Sequence, residues 1–101
     1  MSKAVWFISY KLVEGASECE FLAVSQAVND ACSLSKRKGF ISWQVLKQGG
    51  AWVDLVTWET MEDAIAAEND DGQPDPVAAK FYSFIDPESI TTQLYSIEQS
   101  Y

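Results

Sequence analysis

The order of strand-like and helix-like segments in this 101-residue sequence predicts an α+β fold, with helices covering one face of a four-stranded antiparallel sheet. Three observations carry the prediction. Segments 4–12, 40–48 and 51–59 are dense in β-branched and aromatic residues. Segments 17–38 and 60–68 repeat apolar residues at helical spacing. A Gly49-Gly50 pair joins the second and third strand-like segments.

In segment 4–12 Trp6, Ile8, Tyr10 and Leu12 share one face, while Val5, Phe7 and Ser9 occupy the other, as expected of a central strand covered on both sides. Ser17, followed three residues later by Glu20, is a capping box that opens a helix. Phe21, Val24, Val28, Ala31 and Cys32 form its buried stripe, and Cys19 and Glu20 face solvent. The basic run 36–38 ends this helix where its dipole favours positive charge, and Gly39 stops it. Cys19 and Cys32 lie too far apart along such a helix to bridge, so no disulfide is expected.

The glycine pair sets the register of the following hairpin. With residue 47 opposite residue 52, Ile41, Trp43, Val45 and Lys47 share a face with Trp52, Asp54, Val56 and Trp58. The other face carries Phe40, Ser42, Gln44 and Leu46 with Val53, Leu55 and Thr57. Thr60 caps a second helix, with Glu62 and Asp63 in its first turn. An acidic loop, 68–74, interrupts it, and Asp75-Pro76 restarts a helix whose apolar side is Val77, Phe81, Phe84 and Ile85. The spacing of Glu68, Asp70, Asp71 and Asp75 does not reproduce an EF-hand loop, so these charges are read as a solvated turn. Asp86-Pro87 ends the helix, and segment 89–98 alternates as a final strand. The order β, α, β, β, α, β is that of a ferredoxin-like sandwich. Val5, Phe7, Phe40, Leu46, Val53 and Leu55 would leave a sizeable apolar patch on the uncovered face, so a homodimer through the sheet is expected.

Composition narrows the function. One core is feasible at this length, since a domain of this size buries roughly 65% of its unfolded surface, and a single domain over 1–101 is expected. Seven basic against fifteen acidic residues give a net charge of -8, which opposes nucleic acid and anionic membranes as partners. No 18-residue apolar run and no cleavable leader pattern is present, so a cytoplasmic location is expected. The absence of histidine removes the Ser-His-Asp triad, His-ligated haem and most catalytic zinc sites.

The run Gly39-Phe40, the hairpin, and Val56-Thr57-Trp58-Glu59-Thr60 entering a helix at Met61 resemble the antibiotic biosynthesis monooxygenase family of dimeric α/β barrels. That family includes oxygenases of aromatic polyketides that use neither metal nor flavin, haem degraders, and members without an assigned role. The resemblance implies no cofactor and a pocket-lining role for Trp58. Haem degraders use an asparagine on strand one and a histidine on the second helix, where this sequence has Ile8-Ser9 and Glu68-Asn69.

The candidate site follows from the hairpin register. Trp58, Trp43, Trp6 and Tyr10 are the expected walls of a pocket for a small apolar or aromatic ligand, unless they simply fill the core. Asp54 is a carboxylate in an apolar strand, with Lys47 diagonal to it. Desolvation would raise its pKa toward that of a general base, with Lys47 or an indole N–H steadying the resulting anion. The alternative for this pair is an ion pair holding the hairpin in register. No metal ligand set is expected. The functional readings are a cofactor-independent oxygenase acting on an aromatic or enolisable compound, a non-catalytic ligand-binding dimer, and a purely structural dimer.

Overall fold

A computed structural model describes residues 2–31, 34–69 and 76–101. The chain runs β1 (Ala4–Tyr10), α1 (Glu18–Asp30), β2 (Phe40–Gln48), β3 (Ala51–Trp58), α2 (Met61–Glu68), α3 (Pro76–Ser83), a 3-10 turn (Pro87–Ser89) and β4 (Thr91–Ser96). All pairings are antiparallel and the sheet order is β2-β3-β1-β4, so the two central strands are β3 and β1. This is the ferredoxin-like sandwich expected from the element order.

Several elements end earlier than their sequence patterns imply. Helix α1 opens as predicted, with the Ser17 hydroxyl accepting from the Glu20 N–H, but it stops at Asp30. Asn29 and Asp30 are weak helix formers, and Ala31, assigned to the buried stripe, is its exposed C-cap. The basic run 36–38 is therefore part of a turn, not of the helix. Cys32 and the acidic segment 70–75, including the expected cap Asp75, lie outside the described residues. Strand β1 gives way at Lys11 because the chain there is tied to the end of α3: Val13 N–H donates to Phe84 C=O, and Asp86 N–H donates to Lys11 C=O. The 3-10 turn takes residue 89 out of the last strand, and the Asp86 carboxylate caps it by accepting from the Glu88 N–H.

The hairpin register is Lys47 opposite Trp52, and Trp43 and Val45 share a face with Asp54 and Val56 as expected. A bulge between Phe40 and Ser42 changes the phase at the far end of β2. Phe40 therefore joins the helix-covered face, its ring edge-on to Trp58 at 5.9 Å, while Ile41 is the extra residue and is 38% exposed. The predicted faces of these two residues are corrected accordingly.

The buried side chains form two clusters on the helix-covered face. Under α1 and α3, Phe21 is in ring contact with Tyr10, Trp52, Phe81 and Phe84. Under α2, Trp58 and Trp6 lie 4.8 Å apart between Ala4, Val56 and Ala64. Ile8 and Trp43 border both clusters. The opposite face is uncovered, with Val5, Phe7, Val53 and Leu55 half-buried and Leu46 and Tyr95 exposed.

Gly39 joins the 34–39 turn to β2 at φ +84°, and its C=O accepts from the Glu59 N–H at 2.7 Å. A Cβ placed there runs into the Asp63 side chain on α2. Positive φ in a non-glycine residue costs about 1–2 kcal/mol before that collision is counted. Gly39→Ala should lower the melting temperature by at least about 5 °C, as read by thermal denaturation; an unchanged value would refute the close approach of this turn to α2.

Candidate functional site

The side-chain period of two along β3 decides what enters the interior. Trp52, Asp54, Val56 and Trp58 are all buried on the helix side, and Val53, Leu55 and Thr57 alternate onto the other. Asp54 is thereby carried inside with the tryptophans at 8% exposure, opposite Ile8 on β1 and Val45 on β2. It lies where the two apolar clusters meet, since Trp52 belongs to one and Val56 to the other.

The Tyr10 hydroxyl donates to Asp54 Oδ1 at 2.7 Å. Burial pushes the Asp54 carboxyl up to about 6, and the Tyr10 hydrogen bond and the Trp43 indole partly oppose that rise. The Trp43 Nε1–H favours the charged carboxylate by proximity, while its distance and angle do not amount to an ordinary hydrogen bond. Burial, and then the Asp54 charge and hydrogen bond, raise the Tyr10 phenol well above its usual range. Near neutral pH the pair is thus an ionised acceptor and a neutral donor. Tyr82 on α3 is also raised, first by burial and then by the Asp54 charge, with Arg37 opposing. Its side chain is 60% exposed, so solvent damps these effects.

The three tryptophans assigned to the pocket are brought together on one face, but their polar atoms differ. Trp6 Nε1–H donates to Ala64 C=O at 3.0 Å, which fixes α2 to β1. Trp43 Nε1 and Trp58 Nε1 are buried and have no hydrogen-bond acceptor. Trp58 is completely buried, clamped between Trp6 and Phe40.

Lys47 does not pair with Asp54. Its ammonium binds the Glu18 carboxylate at 2.9 Å at the start of α1 and lies 5.5 Å from the centre of the Trp52 ring, with both charged side chains about half exposed. The four-carbon stem of a lysine at the hairpin tip reaches the helix more readily than it enters an apolar core. Sequence reasoning missed the Tyr10–Asp54 bond. Its signal was present in the shared alternation of the two strands, but it depends on the β1–β3 register, in which Tyr10 faces Trp52 and is diagonal to Asp54. A separate open cleft of about 430 Å³ lies outside α2, lined by Arg37, Lys38, Glu62, Asp63, Ala66 and Ala67. Among the described residues no helix is long and apolar enough to cross a membrane, and no group of three or more acidic or cysteine side chains is placed to hold a metal ion.

The arrangement is therefore a buried carboxylate in an aromatic surround, with the Tyr10 phenol donating to it and the Trp43 indole N–H beside it.

Comparison with solved structures shows that the fold recurs in other proteins. SnoaB, a cofactor-independent oxygenase from Streptomyces nogalater, superposes with a TM-score of 0.72 over 99% of this chain and 97% of its own, at 14% identity. A putative antibiotic biosynthesis monooxygenase from Bacillus cereus gives 0.62 over 100% and 98%, at 18% identity. A dimeric ferredoxin-like protein from an uncultured marine organism gives 0.64 over 100% and 92%, at 12% identity. No family model and no curated protein matches the sequence.

The carboxyl equilibrium makes a stability prediction. Because burial raises the folded-state value of Asp54 from 3.8 to about 6, the native chain keeps a proton there that the unfolded chain has released. The associated stability is full below about pH 4 and is lost as pH rises to about 6, a difference of about 3 kcal/mol. Asp54→Asn should therefore stabilise the protein relative to the parent at pH 8 by more than at pH 3.5. Urea denaturation at the two pH values measures this, and an equal difference at both would mean that Asp54 is not desolvated.

Proposed function

We propose that the chain is a cofactor-independent oxygenase acting on a small aromatic or enolisable compound, with Asp54 as its general base. The observation that carries this reading is the buried Asp54 carboxylate, held by Tyr10 on an otherwise aromatic face. The fold shared with a cofactor-independent oxygenase supports it. Lys47, engaged with Glu18 at the rim, has no part in the proton transfer under this reading.

In the proposed reaction Asp54 takes the proton of a phenol or an enolisable C–H. The resulting anion gives its electrons to O2, a C–O bond forms, and the peroxide breaks down with loss of water. For an activated CH2 group the carbon loses two hydrogens and gains one oxygen, and the second oxygen atom leaves as water. The walls Trp6, Trp43, Trp58 and Tyr10 exclude solvent from the carbanionic stage, and Tyr10 orients the carboxylate.

Oxygen uptake with a panel of anthrones and quinols tests the reading. Activity should rise with pH through about 6 as Asp54 ionises. Asp54→Asn should lower kcat/KM by about 10²–10⁴-fold. Tyr10→Phe removes a bond that favours the charged carboxylate, so its activity limb should move to higher pH; a limb that moved to lower pH, or full activity in Asp54→Asn, would exclude Asp54 as the base.

We also read the protein as a cytoplasmic homodimer paired through the uncovered sheet face. Val5, Phe7, Val53 and Leu55 on that face support this, as does the dimeric state named for one structural neighbour. Leu55→Glu should convert the dimer to monomer in sedimentation analysis, and an unchanged dimer would assign the interface elsewhere.

A further inference from the structure

The open cleft outside α2 has two walls of opposite charge. Arg37 and Lys38 form one, on the turn that leads into β2, and Glu62 and Asp63 form the other, on the first turn of α2. Ala66 and Ala67 stand one helical turn beyond the acidic pair and line the rest of the cleft with nothing longer than a methyl group.

Both walls are fixed by the backbone. The Arg37 N–H donates to Leu34 C=O at 2.9 Å and the Phe40 N–H to Arg37 C=O at 3.2 Å, while Gly39 C=O accepts from the Glu59 N–H just beyond β3. The Asp63 N–H donates to Thr60 Oγ1 at 3.0 Å, and its side chain rests against Gly39, where a Cβ would displace it. Arg37 and Asp63 are both half-buried.

The two walls do not satisfy each other. Among the described residues Lys38, Glu62 and Asp63 have no ion-pair partner, although all three line one cleft. Each wall instead places two like charges side by side, an arrangement that an opposite charge from outside relieves. In a chain of net charge -8 the cleft is balanced, two positive side chains against two negative, so a simple anion or a simple cation meets one favourable wall and one unfavourable wall. Its volume of about 430 Å³ suits a ligand larger than a single amino acid.

We propose that the cleft binds a short zwitterionic peptide, its carboxylate on Arg37 and Lys38, its ammonium on Glu62 and Asp63, and its main chain over Ala66 and Ala67. The peptide touches neither Asp54 nor the tryptophans, so the cleft stands or falls independently of the oxygenase reading.

Titration of the isotope-labelled protein with trialanine, followed by two-dimensional NMR at about pH 6.5, where both peptide termini are charged, tests this. N-acetyl-trialanine keeps only the carboxylate, and trialanine amide keeps only the ammonium. Trialanine should shift the amide signals of residues 36–39 and 61–67. It should bind at least about threefold more tightly than either blocked form, the factor expected of one partly exposed ion pair. Lys38→Gln should weaken trialanine and its acetylated form and leave the amide unchanged. Asp63→Asn should weaken trialanine and the amide and leave the acetylated form unchanged. The spectrum of each variant shows directly that it is folded. Equal affinity of the parent for the three peptides, no shift at millimolar trialanine, or shifts centred on other residues would each overturn the proposal, as would folded variants that bind all three as the parent does.

Discussion

Strand β3 lies second from one edge of the sheet, and its alternation leaves no choice about Asp54: if Trp52, Val56 and Trp58 are to be buried, the carboxylate between them is buried too. Much of the interior is arranged around that necessity. The fully buried apolar side chains fall into two clusters bridged by Ile8 and Trp43, one under α1 and α3 and one under α2, and the carboxylate occupies their junction. A buried carboxylate needs hydrogen-bond donors, and the β1–β3 register supplies Tyr10 at 2.7 Å. The central pair of strands therefore carries both the bulk of the core and the polar exception within it.

The aromatic side chains around this junction are held from several directions. Phe21 on α1 locks Tyr10 and Trp52 against α3. On the other side the bulge in β2 turns Phe40 onto Trp58, which already packs on Trp6, while the Trp6 N–H ties the sheet to α2. These contacts fix the Trp6, Trp52 and Trp58 rings from more than one side.

The sandwich and the patch holding Trp43, Asp54 and Trp58 were legible because a two-glycine turn and a period of two define the hairpin register. What failed was whatever depends on a local irregularity or on a long, flexible side chain. The bulge that exchanges Phe40 and Ile41 has no composition of its own. Lys47 has reach enough for either Asp54 or Glu18, and only the packing of α1 over the hairpin end decides between them. The end of α1 was misplaced because a basic run followed by glycine resembles a helix terminus, whereas weak helix formers at 29 and 30 had already ended it. The Tyr10–Asp54 bond was hidden for a different reason: it joins strands distant in sequence, and no turn of known length links their registers.

Asp54 also links stability to chemistry. The desolvation that raises its carboxyl to about 6 weakens the folded state in the pH range where the group is ionised and able to accept a proton. An apolar residue of similar size would close the junction between the two clusters and remove that loss, as replacement of buried charges by packed apolar groups often does. It would also leave Tyr10 O–H without its acceptor and remove the group proposed as the base. The cost in stability and the capacity for proton transfer are thus two readings of one displaced equilibrium, and neither can be changed without the other.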